Sequence, residues 1–242
     1  MREDADAVGE AGDVGLLDEA VLDHPVWASL TGPHAQFAQV RGQAVRYPTD
    51  VSPFAAISPD SDGSAWGDLA ALVGPGGMAP VVGGETSLPA DWEVVDVVDC
   101  VQMVDEELDA EDHPSVVRLK ANDVDDMLAL VERTQPGPFR PRTIELGTYL
   151  GIRRRGALIA MAGQRLHPPG WTEISAVCTD ADYRGQGLAT VLTRAVAADI
   201  RSRGETPFLH AADSNTNAIR LYESLGFVIR RPVRIDIMRA SR

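Results

Sequence analysis

The chain has 242 residues, of which 44% are hydrophobic and 24% are charged, an ordinary balance for a globular protein. Its net charge of -14 excludes a general nucleic-acid-binding role, and the sequence contains no apolar run of membrane-spanning length. The two cysteines, Cys100 and Cys178, predict no disulfide framework, and the five histidines show no metal-ligand spacing. We therefore expect a cytoplasmic protein without a metal site.

The charge is divided unevenly along the chain. Residues 1–112 carry a net charge of -20, whereas residues 113–242 carry +6. This asymmetry indicates two parts with different roles, although an acidic surface that only aids solubility is an equal alternative. The composition predicts an acidic disordered tail at 1–19, an α/β domain at 20–104, an acidic linker at 105–112 and a second domain at 113–242.

Hydrophobic periodicity predicts alternating helices and strands in both parts. In the first part, helices are predicted at 21–30 and 65–73, and strands at 37–40, 43–47, 54–57, 78–82 and 92–104. In the second part, helices are predicted at 123–132 and 188–203, and strands at 116–119, 146–152, 157–164, 172–179 and 207–212. The segment 135–143 contains three prolines and predicts a rigid, non-helical loop.

A strand, a glycine-rich turn and a helix follow one another between Trp171 and Arg203. The turn reads Arg184-Gly185-Gln186-Gly187-Leu188-Ala189. Small residues let a ligand approach the backbone, and the first amides of a helix are free donors at its positive end. With the Arg184 guanidinium beside it, this turn is suited to binding a diphosphate.

Two motifs resemble the GNAT superfamily of acyl-CoA-dependent N-acetyltransferases. Arg184-x-x-Gly187-x-Ala189 matches the superfamily's Q/R-x-x-G-x-G/A signature. The segment 215–227, NTNAIRLYESLGF, is similar to its N-x-x-A-x-x-L-Y-x-x-x-G-F motif, and the likeness covers about 115–239. The resemblance implies an α+β fold with a central mixed, largely antiparallel sheet flanked by helices. The order of elements at 20–104 resembles a degenerate second GNAT half, as in the glycine N-acyltransferase-like branch.

The resemblance also implies the binding mode of an acyl-CoA donor. Backbone groups of Val177, Cys178 and Thr179 would pair with the pantetheine amides. The amides of residues 185–189 (Gly185, Gln186, Gly187, Leu188 and Ala189) would hold the diphosphate together with Arg184. Asn215 would hydrogen-bond the pantetheine arm. For Val177 and Cys178, ordinary core packing is the alternative interpretation.

Two residues are the candidates for proton transfer. Tyr222 stands at the tyrosine of the second motif and would act as general acid toward the leaving thiolate; a buried tyrosine with a satisfied hydroxyl is the alternative. Glu173, on the central strand, would act as base directly or through water, and a surface carboxylate is equally compatible with the sequence. His210 and Asp213 are rivals for the base. Cys178 has no visible partner that would make it a nucleophile.

The leading functional hypothesis is an acetyl-CoA-dependent N-acetyltransferase in which a primary amine attacks directly within a ternary complex. The alternatives are an N-acyltransferase that joins longer acyl chains to an amino acid such as glycine, and a non-catalytic acyl-CoA sensor or scaffold. The acidic first part would favour a cationic amine as acceptor. No nucleic-acid or membrane partner is expected, and a homodimer is left open.

Overall fold

The computed structural model describes residues 18–83 and 88–241. The disordered tail expected at 1–19 therefore lies almost entirely outside the described residues. Within the described ranges, no helix has both the length and the apolar character that crossing a bilayer requires.

The described residues form five α-helices and eleven strands, and the elements up to β10 follow the predicted order, whereas α5 and β11 were not predicted. The helices are α1 (Pro25–Leu30), α2 (Ala65–Val73), α3 (Val124–Thr134), α4 (Leu188–Arg201) and α5 (Thr216–Ser224). The strands are β1 (Gln39–Arg41), β2 (Ala44–Arg46), β3 (Ala55–Ile57), β4 (Met78–Val82), β5 (Trp92–Asp105), β6 (Val116–Arg118), β7 (Tyr149–Arg154), β8 (Ala157–Gln164), β9 (Trp171–Thr179), β10 (Thr206–Ala212) and β11 (Phe227–Ala240).

All of these described strands join one sheet, in the order β1-β2-β3-β4-β11-β5-β10-β9-β8-β7-β6. The pairing is antiparallel except between β3 and β4 and between β9 and β10. Strand β5 comes from the first part of the sequence but lies between β10 and β11 of the second part. The two parts therefore share a single sheet and its core.

Helices cover both faces of the sheet. Because side chains alternate along a strand, neighbours such as Phe208 and Leu209 on β10 point to opposite faces. Leu209 packs in a buried cluster with residues of α4 and α5, including Leu192 and Tyr222. Phe208 packs in a cluster with α1 residues such as Val26. Each face of β10 is thus buried, which explains its nearly continuous apolar sequence.

The acidic segment 105–112, predicted as a linker, contacts helix α4. The side chain of Leu108 is only 3% exposed and belongs to the α4 cluster. The Arg201 guanidinium donates to the Leu108 carbonyl at 2.6 Å and to both carboxylate oxygens of Asp105, at 2.7 and 2.9 Å. These contacts place the acidic residues beside basic side chains of α4.

His34 lies between the two parts of the sequence and makes the folding stability depend on pH. The imidazole is buried, Nδ1 accepts from the Tyr47 hydroxyl at 2.9 Å, and Nε2 donates to the Leu146 carbonyl at 3.1 Å. Burial, together with the nearby His167, lowers the pKa of His34 from 6.5 to about 4. Below pH 6.5 the imidazole is therefore protonated in the unfolded chain, whereas in the folded chain it takes up a proton only near pH 4.

We therefore expect His34 to cost stability as the pH falls from 6.5 toward 4, with a total loss of about 3 kcal/mol. Urea unfolding at several pH values in this window measures the effect. The His34→Gln variant keeps polar atoms but does not titrate, so its stability should depend less steeply on pH. Equal slopes for the two proteins would contradict the prediction.

Candidate active site

Strands β9 and β10 separate in the middle of the sheet. They pair in parallel from Trp171 with Thr206 as far as Ile174 with Leu209. Within the described residues the pairing ends there, although β9 continues to Thr179 and β10 to Ala212. Two parallel strands that diverge leave main-chain amides and carbonyls free between them, a favourable site for a ligand with amide groups.

A β-bulge lies in β9 where the two strands diverge. The register between β8 and β9 shifts between Met161 and Gly163, and Ala176 has a φ of 53°. A non-glycine residue in the left-handed region is uncommon and costs of order 1–3 kcal/mol. The bulge takes Ala176 out of the regular ladder, and it marks the part of β9 most suited to a role beyond sheet pairing.

A cavity of about 980 Å³ passes through this opening from one face of the sheet to the other. On the side of α4 and α5 its wall includes Leu188, Ala218 and Tyr222, whereas on the opposite side it includes Phe54 and Cys100. A donor and an acceptor could therefore enter from opposite faces and meet at the gap between β9 and β10.

The glycine-rich turn forms one end of the cavity. Gly185 and Gly187 have φ values of 75° and 74°, and no atom lies within 4 Å of a Cβ built on either residue. Gly187 is the N-cap of α4 and supplies no side-chain hydrogen bond, so the first amides of that helix keep their donor capacity. The exposed Arg184 donates from Nε to the Thr179 carbonyl at 3.3 Å.

Most of the predicted donor-binding residues line this one cavity. They are Val177, Cys178, Thr179, Arg184, Gly185, Gly187, Leu188, Ala189 and Asn215. Gln186 is exposed in the same turn but is absent from the cavity wall. Asn215 caps α5, because its Oδ1 accepts from the Ala218 amide at 3.2 Å, which leaves its NH₂ group for a ligand. Burial raises the pKa of the Cys178 thiol, which makes it a poor nucleophile.

Tyr222 lies on the wall of the cavity on the α5 side. Its side chain is 8% exposed and packs edge-on against Phe227, with ring centroids 6.0 Å apart. Burial raises the pKa of the phenol to about 12. The hydroxyl is therefore protonated at neutral pH and can donate a hydrogen bond into the cavity.

Glu173 lies in the protein interior rather than on the cavity wall. Its side chain is fully buried, and its two oxygens accept from Nε and Nη2 of Arg165 at 2.8 and 2.6 Å. His210 Nδ1 donates to the same carboxylate at 2.8 Å. Burial acts to raise the pKa of Glu173, but the Arg165 charge and these hydrogen bonds prevail and lower it to about 2.

His210, the rival base, has both ring nitrogens engaged. Its Nδ1 donates to Glu173, and its Nε2 accepts from the Gln102 side-chain amide at 3.1 Å. The orientation of Gln102 is fixed, because the same nitrogen donates to the Leu22 carbonyl and the amide oxygen accepts from Arg230. Both ring nitrogens are thus engaged by protein groups, so neither presents a lone pair to a substrate.

The cavity wall opposite α5 was not predicted from the sequence. It is formed mainly by apolar residues, with Arg165 among them: Phe54, which directly precedes β3, and Pro80, Val98, Cys100, Ile235 and Ile237 of β4, β5 and β11. None of the described residues from the first part on this wall is acidic. The acidic first part, which was expected to favour a cationic amine, therefore brings no described acidic side chain to this wall, because alternation along β5 directs Val98 and Cys100 toward the cavity and Asp99 away from it.

Known proteins with related sequences and structures carry the GNAT name. A crystal structure described as an acetyltransferase from the GNAT family of Novosphingobium aromaticivorans is 40% identical, covers 91% of this chain and 99% of its own, and has a TM-score of 0.84. The chain belongs to the GNAT family. The FR47-like protein pattern matches residues 149–234.

Other known proteins match a smaller part of the chain or its fold alone. A mycothiol acetyltransferase of Thermobispora bispora is 40% identical over 83 residues, and the match spans 31% of this chain and 28% of that relative. A GCN5-related N-acetyltransferase of Kribbella flavida is 18% identical with a TM-score of 0.54 and covers 87% of this chain and 95% of its own. The latter match shows the fold alone.

The GNAT fold predicted from the sequence, a largely antiparallel sheet flanked by helices, is confirmed. The origin of residues 20–104 as a degenerate GNAT half stays a prediction, and no glycine N-acyltransferase is among the relatives described above. The site residues fit a CoA ester, because the uncapped start of α4, the open left-handed glycines and the separated strands provide for its diphosphate and its amides.

Proposed function

We propose that this GNAT protein transfers an acetyl group from acetyl-CoA to a primary amine. The continuous cavity is the observation that supports the proposal most directly, because it joins the glycine-rich turn, the gap between β9 and β10, and Tyr222. In this proposal the diphosphate lies on residues 185–189 with Arg184, and the pantetheine arm runs along Val177–Thr179 past Asn215. The thioester then reaches the gap in the sheet.

The amine loses its proton without a carboxylate base. A primary amine with a pKa near ~10.4 is mostly protonated at pH 7, which costs about 4–5 kcal/mol. Glu173 is a weak base because its pKa is about 2, and it does not line the cavity. We assign the deprotonation instead to the apolar wall and the Arg165 guanidinium, which both disfavour an ammonium ion, so that the amine binds in its neutral form after releasing its proton to solvent. Glu173 then acts by positioning Arg165.

The neutral amine attacks the thioester carbonyl carbon, a C–N bond forms, and the C–S bond breaks. A main-chain amide near the bulge at Ala176 stabilises the oxyanion. The Tyr222 hydroxyl gives its proton to the leaving sulfur and takes up the proton that the amine nitrogen loses. The products are the N-acetyl amine and CoA thiol, and Tyr222 ends in its original protonation state.

Substituting Gly187 tests the location of the donor site. We expect Gly187→Val to weaken acetyl-CoA binding at least tenfold, because the new side chain would occupy the space assigned to the diphosphate. Calorimetric titration with acetyl-CoA measures the change. The matched control is Gly204→Val, since Gly204 follows the other end of α4, has a φ of 76° and also has no atom within 4 Å of a built Cβ. It should bind acetyl-CoA normally.

Equal affinities in the two variants would place the diphosphate elsewhere and remove the support for the proposed function.

A thiol-release assay with acetyl-CoA and longer acyl-CoA esters then compares the donors. Faster release from a long-chain ester would favour the acyltransferase alternative. Tight binding of acetyl-CoA with no release from any ester and any amine would favour a sensor.

A further inference from the structure

Arg165 presents an unused hydrogen-bonding edge to the cavity. The guanidinium carries five N–H donors, and Glu173 accepts from one on Nε and one on Nη2. Nη1 donates to no protein atom of the described residues, yet Arg165 lines the cavity and its side chain is 11% exposed. The end of the guanidinium formed by Nη1 and Nη2 is therefore free to bind a second planar acceptor group.

The surroundings of this edge are apolar and rigid. The Arg165 Cζ atom lies 5.0 Å from the centre of the Phe54 ring, which fixes the plane of the guanidinium. Val98, Ile235 and Ile237 line the same cavity. An apolar environment strengthens a charge-assisted hydrogen bond and favours a ligand that also carries hydrocarbon.

The guanidinium also lies close to the gap in the sheet. Its partner Glu173 directly precedes Ile174, the last residue of β9 that pairs with β10, and the Arg165 amide donates to the Glu173 carbonyl at 3.1 Å. In an α-amino acid, the amine is attached to the carbon that bears the carboxylate. A carboxylate bound to Arg165 would therefore keep the α-amine near the place where the thioester is expected.

We propose that the acceptor is an apolar α-amino acid with a free carboxylate, an inference that rests on the proposed acetyl transfer. The carboxylate binds the Nη1–Nη2 edge of Arg165, and the apolar side chain packs on Phe54, Val98 and Ile235. The α-nitrogen forms the new bond to the acetyl carbon, the C–S bond breaks, and the nitrogen's proton ends on the CoA sulfur. Polyamines are poor acceptors, because they lack the carboxylate and bring further positive charge to the apolar wall.

Matched acceptors test this inference on the wild-type protein. L-Leucine and isopentylamine share the primary amine and the branched chain, but only leucine has the carboxylate. We expect kcat/KM in a thiol-release assay to be at least tenfold higher for leucine than for isopentylamine or putrescine, because only leucine gains a charge-assisted hydrogen bond to Arg165. Isopentylamine or putrescine reacting as well as leucine overturns the inference, as does an absence of product with every apolar amino acid.

Acetyl-CoA binding, measured separately by calorimetry, distinguishes the two levels of the proposal. Failure of acetyl-CoA to bind would refute the proposed function itself. Normal acetyl-CoA binding, together with equal kcat/KM for acceptors with and without a carboxylate, would refute only the acceptor assignment. As a measurement independent of turnover, N-acetyl-L-leucine should bind the CoA-saturated protein more tightly than N-isopentylacetamide, and equal affinities would contradict the proposal.

A pair of exposed valines on β5 provides variants that spare the buried ion pair. Val98 is 38% exposed and lines the cavity, whereas Val95 is 36% exposed and is absent from the cavity wall. Val98→Asp adds a negative charge beside the proposed carboxylate and should lower kcat/KM for leucine at least fivefold without changing acetyl-CoA affinity. Val95→Asp should leave both quantities unchanged. Equal behaviour of the two variants toward leucine would contradict the proposed position of the acceptor.

Discussion

Replacing Tyr222 by phenylalanine is expected to lower kcat at least a hundredfold while changing the Kd for acetyl-CoA less than about threefold. A general acid contributes of order 10²–10⁴ in rate, and only the hydroxyl can supply the proton. The pKa of about 12 keeps that proton in place at every pH used for assay. Phenylalanine retains the ring that packs on Phe227, so the fold and the donor site should be preserved.

Tyr183→Phe is the matched control for this variant. Tyr183 also lines the cavity, next to the glycine-rich turn, and its substitution removes an identical hydroxyl at a different place. Its kcat should stay within about threefold of wild type, because its hydroxyl has no proposed role in proton transfer. Single-turnover rates together with calorimetric Kd values separate chemistry from binding. A Tyr222→Phe enzyme that turns over at the wild-type rate would exclude Tyr222 as the acid.

The parts of the site that were predicted from the sequence are those encoded locally. The turn at Arg184–Ala189 is a continuous segment in which left-handed glycines precede an amphipathic helix, so the spacing alone indicates an anion site. Asn215 was picked out by the second motif, and in the structure it lies on the cavity wall and caps α5. In both cases the interacting groups lie within a few residues of one another.

The parts that escaped prediction depend on contacts between distant segments. Nothing in the composition of β5 indicates that it lies between β10 and β11. Glu173 was expected to be a base, yet its environment is set by Arg165 and His210, which lie 8 and 37 positions away. The negative charge of the first part suggested a cationic acceptor, but net charge does not determine which side chains face a cavity. Here alternation along β5 directs Val98 and Cys100, rather than Asp99, toward it.

The fold also shows why the two parts of the sequence need each other. The donor side of the cavity is built by α4 and α5, whereas the wall opposite α5 includes Phe54, Val98 and Cys100 from the first part. A protein reduced to residues 113–242 would lack β5, so β10 and β11 would lose the partner between them. The acidic and the basic parts of the sequence therefore each contribute one side of the same cavity.

Replacing Glu173 by glutamine is expected to cost about 3–5 kcal/mol of folding free energy, because it leaves the Arg165 charge without its buried counter-charge. Glutamine has nearly the same shape, so loss of charge rather than of packing is measured. Chemical denaturation at pH 7 gives the free energy of unfolding. In the wild type, the stabilisation due to the depressed pKa is fully present above about pH 4.5 and declines as the pH falls toward 2.

The matched control is Glu145→Gln, in the exposed pair that Glu145 forms with Arg142. There the carboxylate also accepts from Nε and Nη2, at 2.7 and 2.8 Å, but the two side chains are 41% and 45% exposed. Solvent weakens such a pair, so its loss should cost less than about 1 kcal/mol. Similar losses in both variants would mean that burial does not strengthen the Glu173–Arg165 pair. The role of Glu173 in fixing Arg165 would then have no energetic basis, and the proposed carboxylate site would lack a rigidly held guanidinium.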